Sequence, residues 1–222
     1  GVDEAGRGPL AGPVVAAAVT LPKQAIKGRI DDSKKLTALQ RDSAFLEITG
    51  KCIFGVGVIN EQIIDRENIR QATRFAMENA VLSLLKKINF RGPKPAASLN
   101  EMLERPSSIR AINGAVSGRE SIKTHKFNIH ILVDGDIGLQ VGVPFTNIIK
   151  GHSRSKSIAC ASIVAKVTRD RIMHLYDRIY PQYGFCRHKG YPTADHKAAI
   201  RKFGPSLIHR MSFEPCCIGK SI

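Results

Sequence analysis

Apolar residues recur along this chain in two spacings, and together these predict a layered fold of strands and helices. Residues 14–19 form an almost wholly apolar run, which is typical of a strand buried on both faces. Apolar residues at three- and four-residue steps predict helices over 68–87 and 158–179. Further strands are predicted at 52–58, 127–134 and 145–149. This succession indicates an α/β or mixed α+β fold, although periodicity alone leaves the strand order open.

One long segment interrupts this pattern. From about 91 to 126, prolines, glycines, serines and basic residues replace the regular spacing, apart from a possible short helix at 98–104. We interpret this segment as an inserted loop, because it is longer than ordinary connections. Its charge would suit an extended nucleic-acid surface, whereas its composition favours a disordered spacer. We therefore expect a single domain over residues 1–222 that carries one insertion.

The charge balance of the chain indicates what kind of partner it binds. The chain has 34 basic and 19 acidic residues, a formal charge of +15, which favours a polyanionic partner such as nucleic acid. No long apolar segment supports a membrane, and no feature indicates an obligate protein partner. Five scattered cysteines suit a reducing compartment, and we expect the cytoplasm. Because the chain does not begin with Met, an upstream organellar signal stays open.

Candidate chemistry begins at two adjacent carboxylates near the start of the chain. Asp3 and Glu4 precede Gly6, Arg7 and Gly8, and the apolar run follows. Carboxylates inside an apolar segment require a cation, because an unpaired buried charge is expensive. Glycines allow a backbone to approach another molecule closely, and the arginine adds an anion contact. The segment therefore indicates a metal and a phosphate at one strand end, with a solvated turn as the alternative.

Several segments carry a resemblance to a known family. The run 1–19 resembles the N-terminal signature of bacterial-type ribonuclease HII, the type 2 ribonuclease H family. The Asp-Ser-Lys-Lys-Leu-Thr block at 32–37 and the Ala-Lys-Val-Thr-Arg-Asp block at 165–170 are similar to further family segments. The resemblance implies the ribonuclease H-like fold, a mixed central sheet flanked by helices. It also implies an endoribonuclease with divalent Mg²⁺ or Mn²⁺ that leaves 5′-phosphate and 3′-hydroxyl ends.

The resemblance also implies a set of four acidic metal ligands. Three of them correspond to Asp3, Glu4 and Asp134, the last at the end of the predicted strand 127–134. The fourth falls in a loop where the family has Lys-Gly-Asp and this chain has His152. Imidazole is a softer, neutral ligand that suits Mg²⁺ poorly. The alternative function is therefore a hybrid-binding homologue with weakened or lost catalysis.

Other interpretations of this departure stay open. His152 could still bind a metal and prefer manganese to magnesium. Asp136 could compensate if the strand continued beyond Asp134. Asp170 could supply the fourth carboxylate, although its place in a helix is better explained by an ion pair within that helix.

Substrate recognition is implied by the same resemblance. RNA is distinguished from DNA by the ribose 2′-hydroxyl, which main-chain groups of Gly6, Arg7 and Gly8 would contact. Tyr191 matches a family tyrosine that packs beside the next nucleotide and selects the RNA-to-DNA junction. The expected partner is an RNA–DNA hybrid or a ribonucleotide-containing duplex DNA met in replication and repair. Candidate phosphate contacts are Lys34, Lys35, Lys150, Arg154 and Lys189.

Overall fold

A computed structural model of the chain describes residues 1–22, 26–31, 33, 35–88 and 129–216. The predicted insertion at about 91–126 and the short helix at 98–104 lie outside these ranges. The strands are β1 Val2–Ala5, β2 Val14–Val19, β3 Phe54–Ile59, β4 Ile131–Asp134 and β5 Phe145–Ile148. The helices are α1 Ala38–Lys51, α2 Glu61–Glu67, α3 Ile69–Lys87, α4 Lys156–Ile179, α5 Phe185–His188 and α6 Ala194–Phe203.

The five described strands form one mixed sheet in the order β3-β2-β1-β4-β5. β1, β2 and β3 are antiparallel neighbours, whereas β1 pairs with β4, and β4 with β5, in parallel. All six residues of β2 are buried, as the apolar run 14–19 predicted. The mixed central sheet is therefore confirmed. Because β1 and β4 run in parallel side by side, their carboxyl ends meet at one edge of the sheet.

Helices cover both faces of this sheet. α3 packs on one face, where Met77 and Ala80 are fully buried against Val14 and Ala16 of β2. α1 and α4 cover the other face, where Ile48 and Ile163 are fully buried. A third cluster joins α4 to the C-terminal segment. Among the described residues, no helix is both long and apolar enough to cross a membrane.

Short polar side chains set where the helices begin. Thr37 caps α1 in a reciprocal capping box with Gln40, and Asn60 caps α2. The predicted helix 68–87 begins at Ile69, because Asn68 adopts a positive φ of 71° and separates α2 from α3. The Asn68 side chain accepts hydrogen bonds from two main-chain N–H groups of α3.

The apolar face predicted for the helix over 158–179 is buried in the first turns of α4, but it is exposed in the last turns. Ile158 and Ala161 are buried, whereas Leu175 and Ile179 are 57% and 62% exposed. The helix extends past the sheet and there packs through Met173 against the C-terminal segment. A different face of the helix is therefore buried after its midpoint.

Candidate active site

The paired strands bring two carboxylates together at one sheet edge. Asp3 lies on β1, and Asp134 is the last residue of β4. The parallel register pairs Val2 with Val133. Asp3 and Asp134 each follow these residues by one position and therefore lie on adjacent strands at the same level. Asp3, Asp134 and His152 each offer one potential ligand atom, and these three atoms lie within 4.8 Å of one another. Such a group of oxygens and one nitrogen is close enough to share a single metal ion.

His152 lies directly against the Asp134 carboxylate. It belongs to a 3-10 turn, Gly151–Ser153, that follows β5. Its Nδ1 is 2.7 Å from Asp134 Oδ2, and the Gly151 N–H donates to Asp134 Oδ1 over 2.6 Å. Both oxygens of this carboxylate are therefore oriented by the turn, as a metal ligand requires.

The electrostatics of the pair Asp3 and Glu4 favour a cation. Burial raises the pKa of Asp3 well above its ordinary value, and the nearby charges of Glu4 and Asp134 raise it further. Burial also raises the pKa of Glu4, while Arg7, 3.4 Å from its carboxylate, opposes that rise. Three carboxylates held in one largely desolvated place are thus costly when ionised alone. A bound divalent cation would offset that cost, so the residues present fit a metal.

A pair of buried serines supports Asp3 from behind. Ser162 lies on α4, and its hydroxyl opposes the rise in the pKa of Asp3. Its Oγ is 3.0 Å from the Oγ of Ser33, and both serines are buried. Sequence reasoning missed this contact, although Ser33 lies in the Asp-Ser-Lys-Lys-Leu-Thr block. That block therefore reaches the candidate site through its serine.

The basic residues predicted to contact phosphate differ in their exposure and in their contacts. Arg7 is exposed beside Glu4. Lys35 is exposed and lies 3.5 Å from Asp31, whereas Lys34 is outside the described residues. Lys189 donates to the Cys186 carbonyl, which directs its ammonium into the protein. Lys150 and Arg154 are exposed on either side of the His152 turn.

The connection between β1 and β2, Gly6–Pro13, is called the glycine loop below. Gly6 has a φ of 99°, and a Cβ at this position would overlap Arg169 Nε. The Tyr191 ring lies beside the loop, 3.8 Å from where a Cβ of Gly8 would be, and is 40% exposed. The structure thus brings together the predicted 2′-hydroxyl contact and the predicted junction residue.

The two other acidic candidates lie outside the cluster. Asp136 follows a turn at Gly135, and its side chain is 85% exposed, 3.9 Å from Arg70. It therefore does not supply the fourth carboxylate that the family resemblance implies. Asp170 pairs with Lys166 over 2.7 Å within α4, as the interpretation from sequence expected.

The sheet order is that of a ribonuclease H-like fold, and the carboxylates at its parallel edge form a candidate metal site. The Ribonuclease HII family model matches residues 1–216 of the chain. The chain is 44% identical to ribonuclease HII of Geobacillus thermodenitrificans over 216 residues, covering 97% of this chain and 68% of that protein. It is 46% identical to ribonuclease HII of Geobacter sulfurreducens over 214 residues, covering 96% and 80%.

Solved structures agree on the fold. Ribonuclease H2 of Pyrococcus horikoshii superimposes with a TM-score of 0.60 at 24% identity, covering 98% of this chain and 94% of that one. The chain belongs to the ribonuclease HII family. It is an endoribonuclease that acts on RNA in RNA–DNA hybrids. The comparisons give no support to the alternative of a hybrid-binding homologue without catalysis.

Proposed function

We propose that this chain nicks duplex DNA on the 5′ side of embedded ribonucleotides and cleaves the RNA strand of hybrids. The products would carry 5′-phosphate and 3′-hydroxyl ends. The observation that carries the proposal is the cluster of Asp3, Asp134 and His152 within 4.8 Å, beside the glycine loop. The +15 charge of the chain supports a nucleic-acid duplex as its substrate.

Asp3, Glu4, Asp134 and His152 would hold the divalent metal. Carboxylate oxygens suit Mg²⁺ and Mn²⁺ equally well, whereas an imidazole nitrogen is accepted more readily by Mn²⁺. We therefore propose that this chain works with either ion and prefers Mn²⁺. When bound, such ions activate the attacking water and stabilise the leaving oxygen of a phosphodiester.

The residues of the chain itself would position the substrate. Main-chain groups of Gly6, Arg7 and Gly8 would contact the 2′-hydroxyl and the scissile phosphate, because no side chain separates them from the ligand. Tyr191 would pack against the next nucleotide, since its ring lies beside Gly8 and is partly exposed. Together they would place the phosphate of an RNA-to-DNA junction over the carboxylates.

This activity suits the removal of ribonucleotides left in DNA by replication and repair, and we propose that the chain works in the cytoplasm. The four described cysteines carry free thiols, which agrees with a reducing compartment. They are Cys52, Cys160, Cys186 and Cys216.

The test is cleavage of a duplex that contains one ribonucleotide, with an all-DNA duplex of the same sequence as the negative substrate. We expect wild-type protein to nick only the first duplex with Mn²⁺ and more slowly with Mg²⁺. Asp3→Asn should reduce the rate by about 100-fold or more, since losing a ligand exceeds the 10- to 100-fold cost of losing its outer-shell partner. Asp136→Asn, an exposed acid outside the cluster, is the matched control and should keep wild-type activity. No nick with either metal would overturn the proposal.

A further inference from the structure

We propose that Arg169 and Arg210 are positioning residues that hold the glycine loop and Tyr191 in one register, and so determine where the nick falls. The inference rests on the proposed function, in which the glycine loop contacts the ribose and Tyr191 packs against the next nucleotide. Neither arginine touches the metal cluster. They would act through the main chain of the two substrate-facing segments.

The hydrogen bonds of the Arg210 side chain all end on the glycine loop, and its guanidinium also lies over the Phe213 ring. Its side chain is fully buried, and four hydrogen bonds leave it. Nε donates to the Gly12 carbonyl at 3.0 Å, and Nη1 donates to the Arg7 carbonyl at 2.9 Å. Nη2 donates to the Gly6 carbonyl at 2.6 Å and to the Gly12 carbonyl at 2.8 Å. One planar guanidinium therefore fixes both ends of the turn that would contact the ribose.

Arg169 joins the glycine loop to the segment that carries Tyr191. Its Nε and Nη2 donate to the carbonyls of Pro13 and Ala11, at 3.0 Å and 3.1 Å. Its Nη1 donates to the Lys189 carbonyl at 3.0 Å. The same guanidinium thus spans two segments that are far apart in sequence. The distance between the glycine loop and Tyr191 depends on this bridge.

Two further contacts set the same distance. The Leu10 N–H donates to the Gly190 carbonyl over 2.8 Å, directly before Tyr191. Gly190 has a φ of 83°, and a Cβ there would lie 2.6 Å from the Ala11 carbonyl oxygen. The two segments therefore approach each other as closely as their backbones allow. Any side chain at position 190 would force them apart.

The chemistry of both arginines argues for a role beyond filling the core. All their hydrogen bonds given above end on main-chain carbonyls, which do not neutralise a charge. Burial lowers the pKa of Arg169 to about 10 and that of Arg210 to about 9, so both stay charged at neutral pH. Two buried cations in contact with one loop are expensive compared with apolar residues of similar size. A guanidinium is the side chain that can bind several carbonyls in a fixed plane, which is the property a rigid loop needs.

The proposal is tested by the position of the nick, which does not depend on how much protein is folded. The substrate is a duplex with a short run of ribonucleotides followed by DNA. The variant is Arg169→Lys, which keeps the charge and loses the planar fork that spans both segments. The matched control is Arg178→Lys, the same change at an exposed position of the same helix. We expect wild type and the control to nick mainly at the RNA-to-DNA junction.

For Arg169→Lys we expect the ratio of junction nicks to internal nicks to fall by about tenfold, the effect of about 1.4 kcal/mol. An unchanged ratio, at any overall rate, overturns the inference. If Arg169→Lys does not fold, Gly190→Ala separates the same segments: a relaxed ratio supports the inference, and an unchanged one overturns it. Wild-type protein that nicks without preference overturns the proposed role of Tyr191 and this inference together. Wild-type preference with an unchanged variant overturns the inference alone.

Discussion

Replacing His152 by aspartate supplies the acidic residue that the family resemblance implies at this position, and its effect can be worked out from the geometry. The imidazole now lies 2.7 Å from the Asp134 carboxylate, with side chains that are 23% and 13% exposed. A second carboxylate about 4 Å away repels the first by ~4 kcal/mol at an effective dielectric constant of about 20. Partial exposure to solvent reduces this to about 2 kcal/mol. The lost hydrogen bond adds about 1 kcal/mol.

The metal-free His152→Asp protein should therefore be less stable than wild type by about 3 kcal/mol. Binding of a divalent cation removes the repulsion, so about 2 kcal/mol should return as affinity. Mg²⁺ should then bind about 30-fold more tightly than to wild type. The nicking rate with Mg²⁺ should rise, and the preference for Mn²⁺ should diminish.

Two measurements check this prediction: denaturant unfolding without metal, and calorimetric titration with Mg²⁺ and Mn²⁺. The matched control is His130→Asp, which adds the same charge at the opposite end of β4, where His130 contacts Thr146. It should leave metal affinity unchanged. If His152→Asp neither destabilises the metal-free protein nor binds Mg²⁺ more tightly, our placement of His152 among the ligands is wrong.

Three further predictions concern groups around the site. Burial lowers the pKa of His196 and of His209 to about 4, from an ordinary value of 6.5. The unfolded chain binds protons at these two histidines below about pH 6.5, whereas the folded protein binds them only near pH 4. Above pH 6.5 the histidines therefore do not reduce stability. The free energy of unfolding, measured with urea, should fall by up to about 3 kcal/mol per histidine as the pH drops from about 6.5 to about 4. Ser162→Ala removes the hydroxyl that lowers the pKa of Asp3 and should weaken Mn²⁺ binding by about fivefold, a loss of about 1 kcal/mol. Gly6→Ala should destabilise the protein by about 2 kcal/mol or more in thermal or denaturant unfolding, because the residue has a positive φ and its Cβ would overlap a buried guanidinium.

Each of these has an outcome that would contradict it. If the free energy of unfolding does not change between about pH 6.5 and pH 4, the two histidines bind protons equally well in the folded and unfolded states. Unchanged Mn²⁺ affinity in Ser162→Ala would leave the serine pair a packing feature only. Wild-type stability in Gly6→Ala would show that the loop can shift without cost.

The local elements and the family could be predicted because their signals lie in short stretches of sequence. Such signals include the apolar run of β2 and the carboxylates Asp3 and Asp134, which depend on neighbouring residues. The mixed sheet then follows from the family resemblance rather than from periodicity, which carries no information on strand order.

What could not be predicted depends on contacts between distant residues. Arg169 falls where an apolar residue would continue the buried face of α4, and its acceptors lie on the glycine loop and beside Tyr191. Nothing near it in sequence shows that a guanidinium can be satisfied there. Ser162 was missed for the same reason, because its partners Asp3 and Ser33 come from other elements.

The most direct measurement is a crystal structure of the protein soaked in Mn²⁺, with anomalous diffraction to locate the ion. We predict manganese bonded to carboxylate oxygens of Asp3 and Asp134 and to a nitrogen of His152. These residues would then form one metal site beside the glycine loop. An anomalous map with no manganese between Asp3 and Asp134, or with the ion bound only elsewhere, would contradict it.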